Sequence, residues 1–134
     1  MGRPGQVKLL LDTHAFLWSV AESGGLSARA RRAIRDKDNE LFVSAASVWE
    51  IATKFRLGKL PGAEPLMKDL TAIMLRLRAS DLPISRVHAL RAGRYSQTHA
   101  DPFDRMLAAQ AEIEGLTLVS RDRALRQFGV ELLW

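Results

Sequence analysis

Apolar residues fall along this chain in two rhythms. Short, mostly apolar runs occur at 7–11 (Val-Lys-Leu-Leu-Leu), 41–44 (Leu-Phe-Val-Ser), 116–120 and 130–133, and they predict buried strands. Between them the spacing turns helical. Residues 13–21 carry Phe16, Leu17 and Val20 on one side, and Ser23-Gly24-Gly25 breaks that helix. Ser27 caps a basic helix over 28–37 whose apolar content is only Ala28, Ala30, Ala33 and Ile34, so most of it faces solvent. Val48, Ile51, Ala52 and Phe55 form one stripe over 46–57, with Gly58 as its terminator. After a turn through Pro61-Gly62, the stripe Leu66, Leu70, Ile73, Met74 and Leu77 predicts one helix over 63–78. Asp81 and Pro83 close it, and Leu82–Ser85 reads as a short strand. A short helix spans 86–94. Asp101-Pro102 then opens another, with Asp101 at the N-cap and Pro102 at N1, running to Gly115. A helical turn begins at 121–123. Strands alternating with helices predict a three-layer α/β/α domain around a central, mainly parallel sheet, as a single domain over 1–134.

Composition narrows the class. A chain of 134 residues that is 47% hydrophobic can bury a real core, and with no cysteine it has neither disulfides nor thiolate metal sites. No apolar run approaches the roughly 18 residues of a membrane span, and the first residues lack the apolar core of a signal peptide, so a cytoplasmic protein without membrane contact is expected. Twenty Lys and Arg against fifteen Asp and Glu leave a net charge of +5, a balance suited to a polyanionic partner.

Against that basic background certain acids stand out. Asp12 ends the run Leu9-Leu10-Leu11, and Asp122 follows the run ending at Ser120. In an open α/β sheet the crevice outside the carboxyl ends of the strands is where ligands bind. Glu50 lies in the helix after Ser44, and Asp104 in the first turn of the helix capped by Asp101; neither falls on its helix's apolar stripe. Each acid also has an ordinary use. Ser47-x-x-Glu50 fits a capping box, Asp104 favours a helix dipole, Asp12 caps the helix after it, and Asp122 sits between Arg121 and Arg123 as a surface ion-pair partner. Gathered at one rim, however, such carboxylates repel one another, and a dication relieves the repulsion. Oxygen donors favour Mg²⁺ or Mn²⁺. His14, His88 and His99 show no ligand spacing and stay outside the metal set. Thr13, Ser44 and Ser120 stand where hydroxyls would orient carboxylates or water, with Asp101 as an auxiliary acid. A metal in an acidic cluster on a basic protein points to phosphodiester hydrolysis, with Arg and Lys holding flanking phosphates.

Four segments in order carry a family resemblance: Leu-Leu-Leu-Asp-Thr-His at 9–14 with Trp18; Ser-Ala-Ala-Ser-Val-Trp-Glu-Ile at 44–51 running into Leu-Gly-Lys-Leu at 57–60; Asp-Pro-Phe-Asp-Arg-Met-Leu-Ala-Ala-Gln-Ala at 101–111; and Leu-Val-Ser-Arg-Asp at 118–122. The chain resembles PIN-domain proteins, specifically the VapC-type toxins of bacterial toxin–antitoxin pairs. The resemblance implies a Mg²⁺- or Mn²⁺-dependent endoribonuclease with Asp12, Glu50, Asp104 and Asp122 as the acidic set. It also implies an RNA substrate cut to leave a 5′-phosphate, a homodimer, and a cognate antitoxin that blocks the active site. Two other readings stay open: a PIN-like nuclease in RNA or DNA processing outside such a pair, and a non-catalytic nucleic-acid-binding module. A phospho-acceptor domain is a weaker third, because only Asp12 stands at the first strand and no Lys follows Lys68.

Overall fold

The apolar run at the start of the chain is the central strand of the sheet. The computed structural model describes residues 6–21 and 24–134; the predicted helix break at Ser23 and the residues before Gln6 lie outside them. Strand β1 (Lys8–Leu11) pairs in parallel with β2 (Glu40–Ser44) on one side and with β4 (Thr117–Val119) on the other. Strand β3 (Ala79–Leu82) lies beyond β2, and β5 (Leu132–Leu133) beyond β4, giving the order β3-β2-β1-β4-β5 with every pairing parallel.

A central parallel strand is covered on both faces, which is why its sequence is continuously apolar rather than alternating. Leu9 and Leu11 face one core with Phe16, Ala30, Ile51, Leu66 and Ile73. Leu10 faces the other with Leu107, Leu118, Leu125 and Phe128. The first layer is built by α1 (Thr13–Ala21), α2 (Ala28–Arg35), α3 (Ala45–Arg56), α4 (Glu64–Lys68) and α5 (Leu70–Leu77); α6 (Arg86–Arg94), α7 (Pro102–Glu114) and a 3₁₀ turn (Arg123–Phe128) build the second. Among the described residues no helix is long and apolar enough to cross a membrane.

Two boundaries differ from expectation. The helix read over 63–78 is a 3₁₀ turn at Pro61–Ala63 followed by α4 and α5, broken at Asp69 (φ −154°, ψ 76°), whose carboxylate accepts from Ala72 N at 3.0 Å and caps α5. The apolar stripe runs across the break, since both pieces cover the same core, so periodicity alone joins them. After Arg78, held left-handed at φ 62°, the chain enters β3 and not a short strand at 82–85. Only Leu82 of β3 is buried. A short edge strand with Ser80 and Asp81 outward has no apolar signature to read.

The chain leaves β1 toward β2 and β3, then returns to the opposite side of β1 for β4. The carboxyl ends of β1 and β4 therefore flank the point where strand order reverses, which in an open α/β sheet opens a crevice.

Candidate metal centre

Asp12 is the residue at which β1 stops. Its N–H donates to Val119 O at 3.0 Å, the last rung of the ladder to β4. Its Oδ1 accepts from Ala15 N at 2.8 Å and so starts α1. The Ser120 hydroxyl hydrogen-bonds the same carboxylate, and Ser120 Oγ also accepts from Asp122 N at 3.1 Å. One small hydroxyl at the end of β4 thus fixes two of the acids. Asp12 is buried, and the desolvation raises its carboxyl above the ordinary carboxylate range, outweighing the hydrogen bonds from Ser120 and Ala15.

Glu50 arrives from α3. The expected capping box at Ser47 does not form: the N-cap of α3 is Ser44, whose Oγ accepts from Ala46 N at 3.0 Å, one turn earlier. Ser44 therefore caps α3. Ser47 and Glu50 are freed to face inward, and both are buried on the side that also carries Ile51. Thr13 Oγ1 donates to Glu50 Oε1 at 2.6 Å and lies 3.2 Å from Ser47 Oγ. Lys54, one turn on, donates to Glu50 Oε2 at 2.5 Å. That hydrogen bond, and then the charges of Glu50, Asp101 and Asp104, raise the Lys54 ammonium pKa.

The third group comes from the start of α7. Asp101 Oδ1 accepts from Phe103 N (2.9 Å) and Asp104 N (3.3 Å), the predicted N-cap, while Pro102 occupies N1. Asp104 is one turn in, half-buried, and its carboxyl is raised by desolvation and by Asp101 and Asp12, against a hydrogen bond from His99. Asp122 caps the 3₁₀ turn through Oδ1, accepting from Ala124 N at 3.0 Å, and stays exposed. It forms no ion pair with Arg121 or Arg123 among the described residues. The ordinary capping roles of Asp12, Asp101 and Asp122 are thus real, yet they do not exclude a site. In each the cap takes Oδ1, and the second carboxylate oxygen is not used by it.

All four expected acids, with Thr13, Asp101 and Lys54, line one cleft of about 410 Å³ at the carboxyl ends of β1 and β4. A larger groove of about 790 Å³ between α2, α5 and the start of β2 contains none of them, so volume alone does not mark the chemistry. Four carboxylates lining one cleft, two of them with pKa values raised chiefly by burial, offer the oxygen donors that fit a divalent cation.

Sequence reasoning missed His99. Its Nε2 lies 2.9 Å from Asp104 Oδ2, and the His99, Asp104 and Asp122 donor atoms all lie within 4.8 Å of one another. The ring stands edge-on to Phe128, with centroids 5.8 Å apart. The loop that carries it is nailed down by Arg105, whose guanidinium donates to the carbonyls of Ala92 (3.0 Å), Tyr95 (2.7 Å), Gln97 (2.8 Å) and His99 (3.0 Å). The only hint in the sequence is the position of His99 two residues before the cap at Asp101. His88, by contrast, is buried in the capping box of α6 with its Nε2 2.9 Å from Glu114, away from the cleft.

Residues 9–131 match the PIN domain family. Over 118 residues, 88% of this chain and 89% of the relative, the sequence is 35% identical to Ribonuclease VapC22 of Mycobacterium tuberculosis. The fold resembles VapBC2 of Rickettsia felis, solved with a promoter DNA fragment, at TM-score 0.68 and 14% identity over 95% of this chain and 98% of that one. It also resembles VapC20 of Mycobacterium tuberculosis, a toxin that cleaves the sarcin–ricin loop, at TM-score 0.60 and 16% identity over 91% and 95% of the two chains. With these motifs in order and this sheet, the chain belongs to the PIN-domain family.

Proposed function

We propose that the protein is the toxin of a VapC-type toxin–antitoxin pair, a Mg²⁺- or Mn²⁺-dependent endoribonuclease of the cytoplasm. It works as a homodimer and is held in check by a cognate antitoxin. The observation that carries this reading is the convergence of Asp12, Glu50, Asp104 and Asp122 on one cleft, with Asp12 and Asp104 held above their ordinary pKa range. The similarity to Ribonuclease VapC22 supports RNA as the substrate, and the likeness to VapBC2 supports an antitoxin partner.

In this reading Asp12, Glu50 and Asp104 hold the cation and Asp122 completes the set. A dication held there would supply Lewis-acid chemistry, activating a water and polarising the scissile phosphate. The chain's own groups do the rest. Thr13 fixes Glu50 through Oε1, and Lys54 fixes it through Oε2, so the carboxylate does not rotate. Ser120 orients Asp12 and the backbone entering Asp122. His99 holds Asp104 Oδ2. Asp101 stays at its cap and adds negative charge beside Asp104.

The test is cleavage of a mixed RNA pool by purified, antitoxin-free protein with Mn²⁺, with EDTA, and with Asp104→Asn. Metal-dependent cutting that disappears in EDTA and in the variant is expected. Cutting in EDTA, or full activity in Asp104→Asn, would reject the assignment. If no RNA in the pool is cut, Mn²⁺ titration decides, and failure of the parent protein to bind Mn²⁺ would leave the acids with structural roles only.

A further inference from the structure

The cleft that gathers the acids has a second kind of wall. Trp18 and Arg121 line it, and the Arg121 guanidinium carbon lies 5.5 Å from the centroid of the Trp18 ring. Trp18 is fixed in place. A Cβ on Gly25 would sit 2.4–2.6 Å from the indole, so only glycine allows the ring to lie there. Trp134 packs at 5.8 Å between centroids and His14 at 5.3 Å. The indole is a fixed shelf, and the arginine rests on it.

Among the described residues, two cations line this cleft. Lys54 is committed to Glu50. Arg121 is in none of the described ion pairs, although Asp122 is its neighbour in the chain and four further carboxylates line the same cleft. Stacking on an aromatic face restrains a guanidinium without using its N–H donors, so the planar fork stays available to an anion. A polyanion approaching a pocket of carboxylates needs such a group at the rim. The fork matches two non-bridging oxygens of one phosphate.

We propose that Arg121, carried on the Trp18 shelf, is a phosphate-binding subsite. It takes the phosphodiester of single-stranded RNA next to the one held at the acids. The proposal rests on the ribonuclease reading and deepens it: affinity for the strand comes from this subsite, separately from the acids that perform the cleavage.

The test uses Asp104→Asn protein, in which cleavage is expected to be lost, and a fluorescently labelled eight-nucleotide single-stranded RNA of mixed sequence, followed by anisotropy at several salt concentrations. Arg121→Gln should raise Kd by about tenfold, the loss of one charge-assisted contact. It should also flatten the plot of log affinity against log salt by about 0.7, one phosphate contact fewer on a single strand. Trp18→Phe keeps a shelf and should stay within about threefold of the parent, while Trp18→Leu removes it and should weaken binding further. Arg29→Gln, on the exposed face of α2, controls for general charge and should leave Kd within twofold. An unchanged Kd and salt slope in Arg121→Gln would overturn the proposal, as would an effect of Arg29→Gln equal to that of Arg121→Gln. The same substitution in otherwise unaltered protein separates the two ideas. Mn²⁺-dependent cleavage with KM unaffected by Arg121→Gln rejects the subsite and leaves the ribonuclease standing. A parent protein that neither binds nor cuts RNA rejects both.

Discussion

Replacing Arg105 by alanine removes a guanidinium that closes four backbone carbonyls, those of Ala92, Tyr95, Gln97 and His99. Ala92 and Tyr95 are buried and Gln97 and His99 half-buried. A buried acceptor left without a donor costs about 1–3 kcal/mol, while half-buried carbonyls recover water at little cost. Two buried acceptors then give a loss of about 2–6 kcal/mol in unfolding free energy. For a domain of this size that corresponds to a Tm lower by roughly 7–20 °C. Arg105→Lys supplies the charge but not the planar fork, and should recover less than half of the loss. The segment between α6 and α7 also loses its anchor, so His99 no longer holds Asp104 Oδ2 in one place, and Mn²⁺ affinity should fall with stability. The assay is thermal unfolding by circular dichroism in EDTA, followed by Mn²⁺ titration of whatever remains folded at 20 °C. A Tm within 2 °C of the parent would refute the argument, because it would mean that these carbonyls find other donors without cost.

Three further predictions concern the carboxylates and the hydroxyl that orients one of them. Burial raises the Asp12 and Asp104 carboxyls, so the metal-free folded chain binds their protons more tightly than the unfolded chain does. The cost of ionising them is absent below the ordinary carboxylate pKa, grows as pH rises from there toward the raised values, and is complete only above them. Asp12→Asn keeps the cap on α1 and removes that cost, so in EDTA at pH 7 it should match or exceed the parent in urea resistance, with the difference shrinking toward pH 4; a variant unfolding at lower urea than the parent at pH 7 would contradict this. Mn²⁺ at a hundred times its Kd should stabilise the parent by about 2.7 kcal/mol and the Asp12→Asn variant by much less. Thr13→Val preserves shape but removes the donor to Glu50 Oε1, and a loss of 10–100-fold in metal affinity or cleavage rate is expected, with unchanged Mn²⁺ affinity and rate counting against an orienting role for the hydroxyl.

Much of this was legible along the chain because it depends on near neighbours. The run Leu9-Leu10-Leu11 ending in Asp12 is a strand and its terminus, and Asp101-Pro102 is a helix start, whatever surrounds them. The same local logic misled where two local solutions competed. Ser47-x-x-Glu50 has the spacing of a capping box, but Ser44 at the end of β2 takes the cap first, and that leaves Ser47 and Glu50 buried against Thr13. The stripe over 63–78 is periodic because both α4 and α5 cover one core, and periodicity carries no mark of the break at Asp69.

What the sequence determined by itself is the set of elements and the acids at their ends, since propensity, capping and hydrophobic period act over a few residues. What only the tertiary structure decided is which of these ends meet. The reversal of strand order beside β1 brings Asp12 and Ser120 together across the ladder and sets α3 and α7 around them. Arg105 brings a histidine without ligand spacing to Asp104, and a glycine leaves room for the indole on which Arg121 rests. These meetings join residues up to about a hundred positions apart. They are set by core packing and sheet topology, and spacing along the chain carries no trace of them.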